Sequence, residues 1–371
     1  MCCCVFLYSI LGIVLLLLIA FIRSPKPALP RQYIPNARAG RLPADWRGTP
    51  VDKKNRFINE RFLFYQDYIQ ILFWFFSSNL PSLIKNGRKK FPVKYHTDKS
   101  FLQNNNTLIW LGHASFFMRI NGVNILIDPH FNNVPFYKRH TDNPIPPDFF
   151  TGIDCLLLSH DHNDHADIKS LKQIFDQNPS ITVFTGLGME KLLRPIAQST
   201  MNIYTLGWYD TCSFKGLDIS FIPSRHYAHR LHNKFNENLW GGFIIQIQQP
   251  QSRAIYFAGD SGYDGALFKT VQQLFSPSVA MLGIGAFKPY YFMYPNHIGP
   301  AEALKAFKDT GASLMIPMHY STFFLGSEMA EEPLELLKQL QTDENICITM
   351  PGETIDLNKW LHLEQENSLQ A

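Results

Sequence analysis

The sequence is poor in charge and poor in cysteine. Only 18% of its 371 residues are Asp, Glu, Lys or Arg, whereas 46% are hydrophobic, and this balance excludes a disordered chain. A disulfide framework and a cysteine-based zinc module are excluded as well, because the few cysteines lack the required spacing. The N-terminal cysteines are either lipidated or inert, and the others are scattered. The six are Cys2, Cys3, Cys4, Cys155, Cys212 and Cys347.

Charge is absent altogether from Cys2 to Ile22, and Val5 to Ile22 is almost wholly apolar. A helix of about 20 apolar residues spans a bilayer, so residues 1–22 are predicted to form a transmembrane anchor. The alternative is a cleaved signal peptide, which would need a basic residue before the apolar run and a small-x-small site after it. Because the basic residues follow the segment, the positive-inside rule predicts a single-pass membrane protein with a cytoplasmic catalytic domain.

Residues 23–100 form a basic region. Between Arg23 and Lys99 there are 16 Lys and Arg against 5 Asp and Glu, whereas the remainder has 18 against 26. The basic surplus favours an anionic lipid surface as partner, and the acidic remainder argues against nucleic acid. Residues 25–50, rich in Pro and Arg, predict an extended linker. Phe62 to Phe76 has eight aromatic residues in fifteen positions, which indicates either an interfacial membrane helix or a helix docked on the protein or on a second subunit.

From Thr107 onward, short apolar runs alternate with turn signals. The runs TLIWLG, SFFMRI and NILIDP, with the hairpin signal Asn121-Gly122 between the last two, predict antiparallel strands. Further strand-like runs then alternate with helical patterns such as DIKSLKQIF, ALFKTVQQLF and PAEALKAF. This alternation predicts an α/β sandwich and a single catalytic domain over residues 101–371.

One short loop concentrates metal-binding side chains. The segment SHDHNDH, which follows the buried run CLLL, contains His160, His162, Asp164 and His165. Imidazole nitrogens and carboxylate oxygens are the ligands that zinc prefers at neutral pH, so we predict a metal centre here.

Three more candidate ligands each follow an apolar strand-like run. His226 comes after FIPSR, Asp260 after YFAG, and His319 after MIPM. Residues at the ends of neighbouring strands meet at one edge of a sheet, where loops gather functional groups. These side chains are therefore predicted to complete the metal centre.

This order of motifs resembles the metallo-β-lactamase superfamily and, more narrowly, the N-acylphosphatidylethanolamine-hydrolysing phospholipase D family. The resemblance implies a metallo-β-lactamase αββα sandwich and two zinc ions per chain. It also implies a phosphodiesterase that cleaves N-acylphosphatidylethanolamine into N-acylethanolamine and phosphatidic acid. The segments that carry it are WRGTPVDKKNRFIN, WLGHASFFMRINGVNILIDPHF, SHDHNDH, FIPSRH, LWGGFII, YFAGDSGY, IGAFKPYYFMYPNHIGPAEA and MHYSTFFL.

The resemblance assigns roles to individual residues. One zinc would be held by His160, His162 and His226, and the other by Asp164, His165 and His319, with Asp260 bridging the two. Asp164 and His297 are expected to be catalytic, and Asn296 and His297 to contact substrate. Asp128 and His113 are expected to contact the ligands rather than the metals. An Asp that only opens a turn before Pro129 is the alternative for Asp128.

The chain departs from the family pattern around the pocket. Asn296 stands where the family usually has Gln, Lys288 and Tyr290 replace a Glu and an Arg, and His229 is a rival to His226 as a ligand. These departures affect headgroup preference more than hydrolysis.

Three functions follow from this sequence. The first is hydrolysis of phospholipid in a membrane bilayer, by an enzyme that the resemblance implies is a homodimer. The second is a hydrolase of the same fold with a soluble substrate, either a lactonase or a nuclease. The third is a metal-stabilised membrane scaffold without catalysis.

Overall fold

The computed structural model describes residues 29–38, 40–62, 91–135, 137–230, 234–248, 253–341 and 345–361, together with the single positions Gly12 and Leu15. The strands described there are β1 Gln32–Ile34, β2 Thr49–Val51, β3 Thr107–Gly112, β4 Ser115–Ile120, β5 Val123–Ile127, β6 Cys155–Leu158, β7 Thr182–Gly186, β8 Asn202–Leu206, β9 Thr211–Phe214, β10 Leu217–Ile222, β11 Gly242–Ile247, β12 Arg253–Phe257, β13 Val279–Gly283, β14 Leu314–Met318 and β15 Thr354–Asp356. The α-helices are α1 Ile168–Gln177, α2 Glu190–Leu193, α3 Gly265–Phe275, α4 Tyr290–Met293, α5 Pro300–Thr310, α6 Glu332–Leu340 and α7 Asn358–Leu361.

Two mixed sheets form the centre of the fold. Within the described residues, one has the order β15-β3-β4-β5-β6-β7-β8 and the other the order β14-β13-β12-β11-β10-β9. The predicted Asn121-Gly122 hairpin is present between β4 and β5, where Ile120 pairs with Val123. Both turn residues have positive φ, 48° and 80°, as a two-residue hairpin turn with the twist of its strands requires.

Alternating side chains divide the core into layers. In β3, Leu108 and Trp110 face the space between the sheets, whereas Ile109 and Leu111 belong to the core under α1. Helix α1 begins at Asp167, whose carboxylate accepts hydrogen bonds from the amides of Lys169 and Ser170, which is the usual way to satisfy the first amides of a helix. On the second sheet, α3 and α5 pack against each other and α5 packs against β13. The αββα layering predicted from the resemblance is confirmed.

The topology brings many strand ends to one edge. Strands β3 and β5 both run antiparallel to β4, and β6 is parallel to β5, so all three end at the same side of the first sheet. In the second sheet, β10 and β12 flank the antiparallel β11, and β13 and β14 are parallel to β12. The loops after these strands carry the predicted ligands, so the fold itself gathers the site.

The segment predicted as a linker is tied to the second sheet in its described part. Strands β1 and β2 pair with each other. The Trp46 ring meets the Tyr209 ring edge to face at 4.8 Å, and the Asn36 amide donates to the carbonyl of Trp208 and to Asp210. This segment is therefore fixed to the catalytic domain.

The predicted membrane localisation is contradicted. In the described part of the chain, every helix is too short or too polar to cross a membrane. The single-pass anchor, and the cytoplasmic placement inferred from it, therefore have no support. The segment from Val5 to Ile22 lies outside the described residues except for Gly12 and Leu15, and the aromatic segment from Phe62 to Phe76 lies outside them except for Phe62.

The packing of α1 leads to a stability prediction. Ile174 is fully buried under the first sheet, whereas Lys172 is exposed and pairs with Asp176 one turn along. Ile174→Ala should lower the free energy of unfolding by about 2–5 kcal/mol, because it removes buried methyl groups and leaves a cavity. Lys172→Ala should cost about 0.5 kcal/mol or less. Urea unfolding measures both, and equal losses would contradict the layering.

Candidate metal centre

The first group of converging donors comes from three loops. His160 and His162 follow β6, His226 follows β10, and Asp260 follows β12. The Nδ1 atom of His162 lies 3.0 Å from His160 Nε2 and 3.1 Å from His226 Nε2. Asp260 Oδ2 lies 3.8 Å from His160 Nε2 and 3.6 Å from His226 Nε2. All four donors lie within 4.8 Å of one another.

A second group lies beside the first. It contains His113, Asp164, His165 and His319, whose donor atoms also lie within 4.8 Å of one another. Asp260 adjoins this group too, because its Oδ2 is 3.2 Å from His165 Nε2 and its Oδ1 is 3.1 Å from His319 Nε2. The Asp260 carboxylate therefore faces both groups, in the position predicted for a bridge.

The predicted support from Asp128 has a clear geometry. His165 Nδ1 lies 2.8 Å from Asp128 Oδ2, and the same carboxylate accepts bonds from the amide and the hydroxyl of Ser159. An N–H at Nδ1 leaves the Nε2 lone pair of His165 free to face Asp260 and the rest of the second group. Asp128 is fully buried and contacts the cluster through His165.

His226 and His229 are separated by the fold. His226 Nδ1 contacts the Asn296 carbonyl oxygen at 3.0 Å, which directs its Nε2 toward His162. The His229 ring packs near the Phe235 ring and belongs to neither donor group. Asn296 thus meets the cluster through its backbone, and its side chain is buried.

His297 lies at the edge of the cluster. Its Nδ1 is 3.9 Å from Asp260 Oδ2, and its side chain is 17% exposed, more than those of its buried neighbours. Burial lowers the pKa of His297 to about 4, although Asp260 opposes this shift. It could contact both the cluster and a molecule entering from outside.

His113 contacts the Asp164 carboxylate of the second group. Its Nε2 lies 2.9 Å from Asp164 Oδ2, and its ring lies 4.0 Å from the ring of His319. The contact with Asp164 is the kind of support that was predicted for His113, although its position is close enough to the other donors for direct ligation.

The electrostatics of the cluster are those of a cation site. Burial would raise the pKa of Asp260, but the imidazoles of His165 and His319 hold that pKa well below its usual range. Burial likewise opposes protonation of the His319 imidazole, yet Asp260 and Asp164 raise the pKa of His319 to about 9. The buried carboxylates of Asp164 and Asp260 are therefore stable as anions only beside positive charge, which protons on the imidazoles or metal ions can supply.

The donor set fits two metal ions. Within the described residues, the buried Nε2 atoms of His165 and His319 face the Asp260 carboxylate at 3.2 and 3.1 Å but form no hydrogen bond with it, and an ion bound among these atoms would satisfy them. Each group offers imidazole nitrogens and a carboxylate oxygen within a few ångströms, as transition-metal sites do. The space bordered by Asp260, His297 and His319 is about 10 Å³, enough for an ion or a single water.

Two supporting residues were not predicted from the sequence. The Ser159 hydroxyl contacts Asp128 and His160 Nδ1 at once, and its position next to the histidine motif was the available signal. The Asn59 amide donates to the carbonyl of His226 at 2.9 Å across 167 positions, and no local pattern marks it.

Comparison with known proteins agrees with this geometry. A family model described as "Beta-lactamase superfamily domain" matches residues 123–320. The chain is 31% identical to N-acyl-phosphatidylethanolamine-hydrolyzing phospholipase D 1 of Caenorhabditis elegans, over 76% of this chain and 83% of that protein. It is 30% identical to the mitochondrial N-acyl-phosphatidylethanolamine-hydrolyzing phospholipase D of Saccharomyces cerevisiae, over 62% of this chain and 51% of that protein. Its fold matches Igni18, a metallo hydrolase of the archaeon Ignicoccus hospitalis, with a TM-score of 0.52, 22% identity, and 67% of this chain and 97% of that one covered.

Fold and site together define a class, the metal-dependent hydrolases of the metallo-β-lactamase fold. Within that class, the chain belongs to the N-acylphosphatidylethanolamine-hydrolysing phospholipase D-like family.

The separation of two neighbouring histidines can be tested by metal analysis. His226→Ala should lose one metal ion per chain, because its Nε2 faces His162 and Asp260. His229→Ala is the matched control and should retain both ions. The metal content of each purified variant measures this, and the reverse result would show that the ligand is misassigned.

Proposed function

We propose that this enzyme is a zinc-dependent phosphodiesterase that hydrolyses membrane N-acylphosphatidylethanolamine to N-acylethanolamine and phosphatidic acid. The observation that carries the proposal is the pair of donor groups sharing Asp260, in a chain related to two enzymes named for this activity. One zinc would be held by His160, His162 and His226, and the other by Asp164, His165 and His319. When bound, two zinc ions supply Lewis acidity toward water and toward a phosphodiester.

The protein side chains would have three roles around the reacting phosphate: to orient the metal ligands, to fix the separation of the two donor groups and to assist the leaving group. Asp128 and His113 would orient His165 and Asp164 through their hydrogen bonds. Asp260 would keep the two groups at a fixed separation. His297, partly exposed at the edge of the cluster, would donate a hydrogen bond to the oxygen that leaves phosphorus.

The proposed reaction is balanced by a single water molecule. The water oxygen forms a new bond to phosphorus, and the bond between phosphorus and the N-acylethanolamine oxygen breaks. One proton of the water passes to the departing alkoxide, which is a poor leaving group without it. His297 is placed to carry this proton, because its partly exposed imidazole lies 3.9 Å from Asp260 at the edge of the cluster.

Exposed aromatic groups beside His297 support a lipid surface as partner. Helix α4 presents Tyr290 and Tyr291, each 52% exposed, and tyrosine is favoured at the boundary between membrane and water. Tyr294 follows them and stacks on the guanidinium of Arg225, the residue before His226. A bilayer against this surface would bring its headgroups close to the cluster.

A cavity of about 620 Å³ lies beside Arg225, which directly precedes His226. Its walls combine apolar and charged side chains, among them Trp46, Phe62, Arg61 and Asp264. Such a mixed lining would suit the part of a lipid where the acyl chains join the polar headgroup. The predicted homodimer is a further part of the proposal, implied by the family.

The products and the position of an oxygen label test the reaction. With N-acylphosphatidylethanolamine in mixed vesicles and heavy-oxygen water, we expect N-acylethanolamine to be released and the label to appear in phosphatidic acid, because water attacks phosphorus. Mass spectrometry of both products measures this. Diacylglycerol as the main product would mean C-type cleavage, free fatty acid would mean attack at an ester carbonyl, and label in the released alcohol would mean attack at carbon. Each of these results contradicts the proposed reaction.

The role of His297 is tested by its removal. His297→Ala should lower kcat about 100-fold or more, as expected for the loss of a proton donor, while both metal ions stay bound. His96→Ala is the control, since His96 contacts the carbonyl of Gly352 and belongs to neither donor group. Loss of a metal ion from His297→Ala would instead make His297 a ligand.

A further inference from the structure

Arg139 is a partly buried cation that no carboxylate contacts within 4 Å in the described part of the chain. Its guanidinium instead donates to three backbone carbonyls: Nη2 to Leu111 at 2.6 Å, Nη1 to His130 at 2.8 Å, and Nε to Thr141 at 2.7 Å. Burial lowers the pKa of Arg139 to about 10, so it stays charged at neutral pH. A cation partly withdrawn from water without a carboxylate partner is costly, and the three carbonyls that replace the carboxylate therefore matter to its role.

The three carbonyls belong to segments that lead to the second donor group. Leu111 lies two residues before His113, and His130 lies two residues after Asp128. Thr141 reaches a third segment, because its hydroxyl donates to the Ser321 carbonyl at 2.9 Å, two residues after His319. Arg139 thus links the loops that carry His113, Asp128 and His319.

The backbones of these loops are left-handed at three positions. His113, Asp128 and His319 have φ values of 54°, 40° and 65°, a region that is uncommon for residues other than Gly, although Asn, Asp and His adopt it more often than other side chains. Such conformations persist only where the surroundings hold them. Gly112 leaves room for that support, since a Cβ atom there would lie 2.9 Å from Arg139 Nη2.

We propose that Arg139 is a positioning residue for the second metal, holding the loops of His113, Asp128 and His319 in the conformation that directs Asp164, His165 and His319 toward one point. Arginine suits this role because its planar fork donates in several fixed directions. A lysine ammonium is a single centre and cannot reach three divergent carbonyls. The first donor group, His160, His162 and His226, has no contact with Arg139 among its hydrogen bonds.

The inference rests on the two-metal assignment of the proposed function, but not on its substrate. Arg139→Lys in the full chain, loaded with zinc and dialysed against a graded series of chelator, should lose one of its two ions at about 10- to 100-fold lower chelator strength than the parent enzyme. This range is typical when a residue that supports metal ligands is changed. The other ion should be retained as in the parent. Parallel loss of both ions, or no change in either, would overturn the proposal.

Arg119→Lys is the matched control. Arg119 lies toward the far end of β4 from the site, where it donates to Asn124, so this variant should hold both ions as the parent does. If it also lost one ion selectively, the effect would come from the sheet rather than from the loops, and the proposal would fail.

Hydrogen exchange gives a readout that needs neither activity nor bound zinc. Without zinc, Arg139→Lys should exchange faster than the parent in residues 111–113, 128–131 and 319–322, with α1 and α5 unchanged. Faster exchange spread over the whole chain would mean a general loss of stability and would overturn the positioning role. Two bound zinc ions without phospholipid cleavage in the parent enzyme would refute the proposed substrate and leave the role of Arg139 intact.

Discussion

The structure depends on the compensation of two buried carboxylates, Asp164 and Asp260, by the imidazoles around them. Neither carboxylate could remain ionised in this interior without adjacent positive charge. Protonated His165 and His319 can supply that charge, and so can metal ions bound to the same nitrogens. Asp164 and Asp260 therefore make this a site that favours cations. The surrounding fold holds the donor atoms at the distances that such ions require.

The donor residues that follow the two sheets are held in position by different kinds of contacts. On the first sheet, carboxylate, hydroxyl and guanidinium groups hold the ligands: Asp128 fixes His165, and Arg139 links the loops on either side. On the second sheet, backbone and amide groups hold His226, through the Asn296 carbonyl and the Asn59 side chain. Asp260 and Ser159 connect the two donor groups, whereas Asn59 contacts only the first group and Arg139 only the loops of the second among the described residues.

The proposed function at a lipid surface is supported by the residues at the rim of the cluster. The cluster is buried, but His297 is partly exposed, and the short helix α4 before it presents two tyrosines to solvent. Such an arrangement would let the headgroup of a bilayer lipid reach the donors. It accords with the family to which the chain belongs and is the basis for choosing phospholipid over a soluble substrate.

The sequence by itself determined the strands from Thr107 onward, the helices that cover them and the ligand candidates, because hydrophobic period and dense His/Asp spacing are local signals. It misjudged the membrane localisation, since an apolar run of the right length does not by itself establish a spanning helix. Only the tertiary structure separated His226 from His229, placed Asp260 between two donor groups and revealed Ser159, Asn59 and Arg139 as supports. These arrangements depend on contacts between residues up to 167 positions apart in the sequence. Such contacts are set by how the two sheets pack rather than by any local pattern.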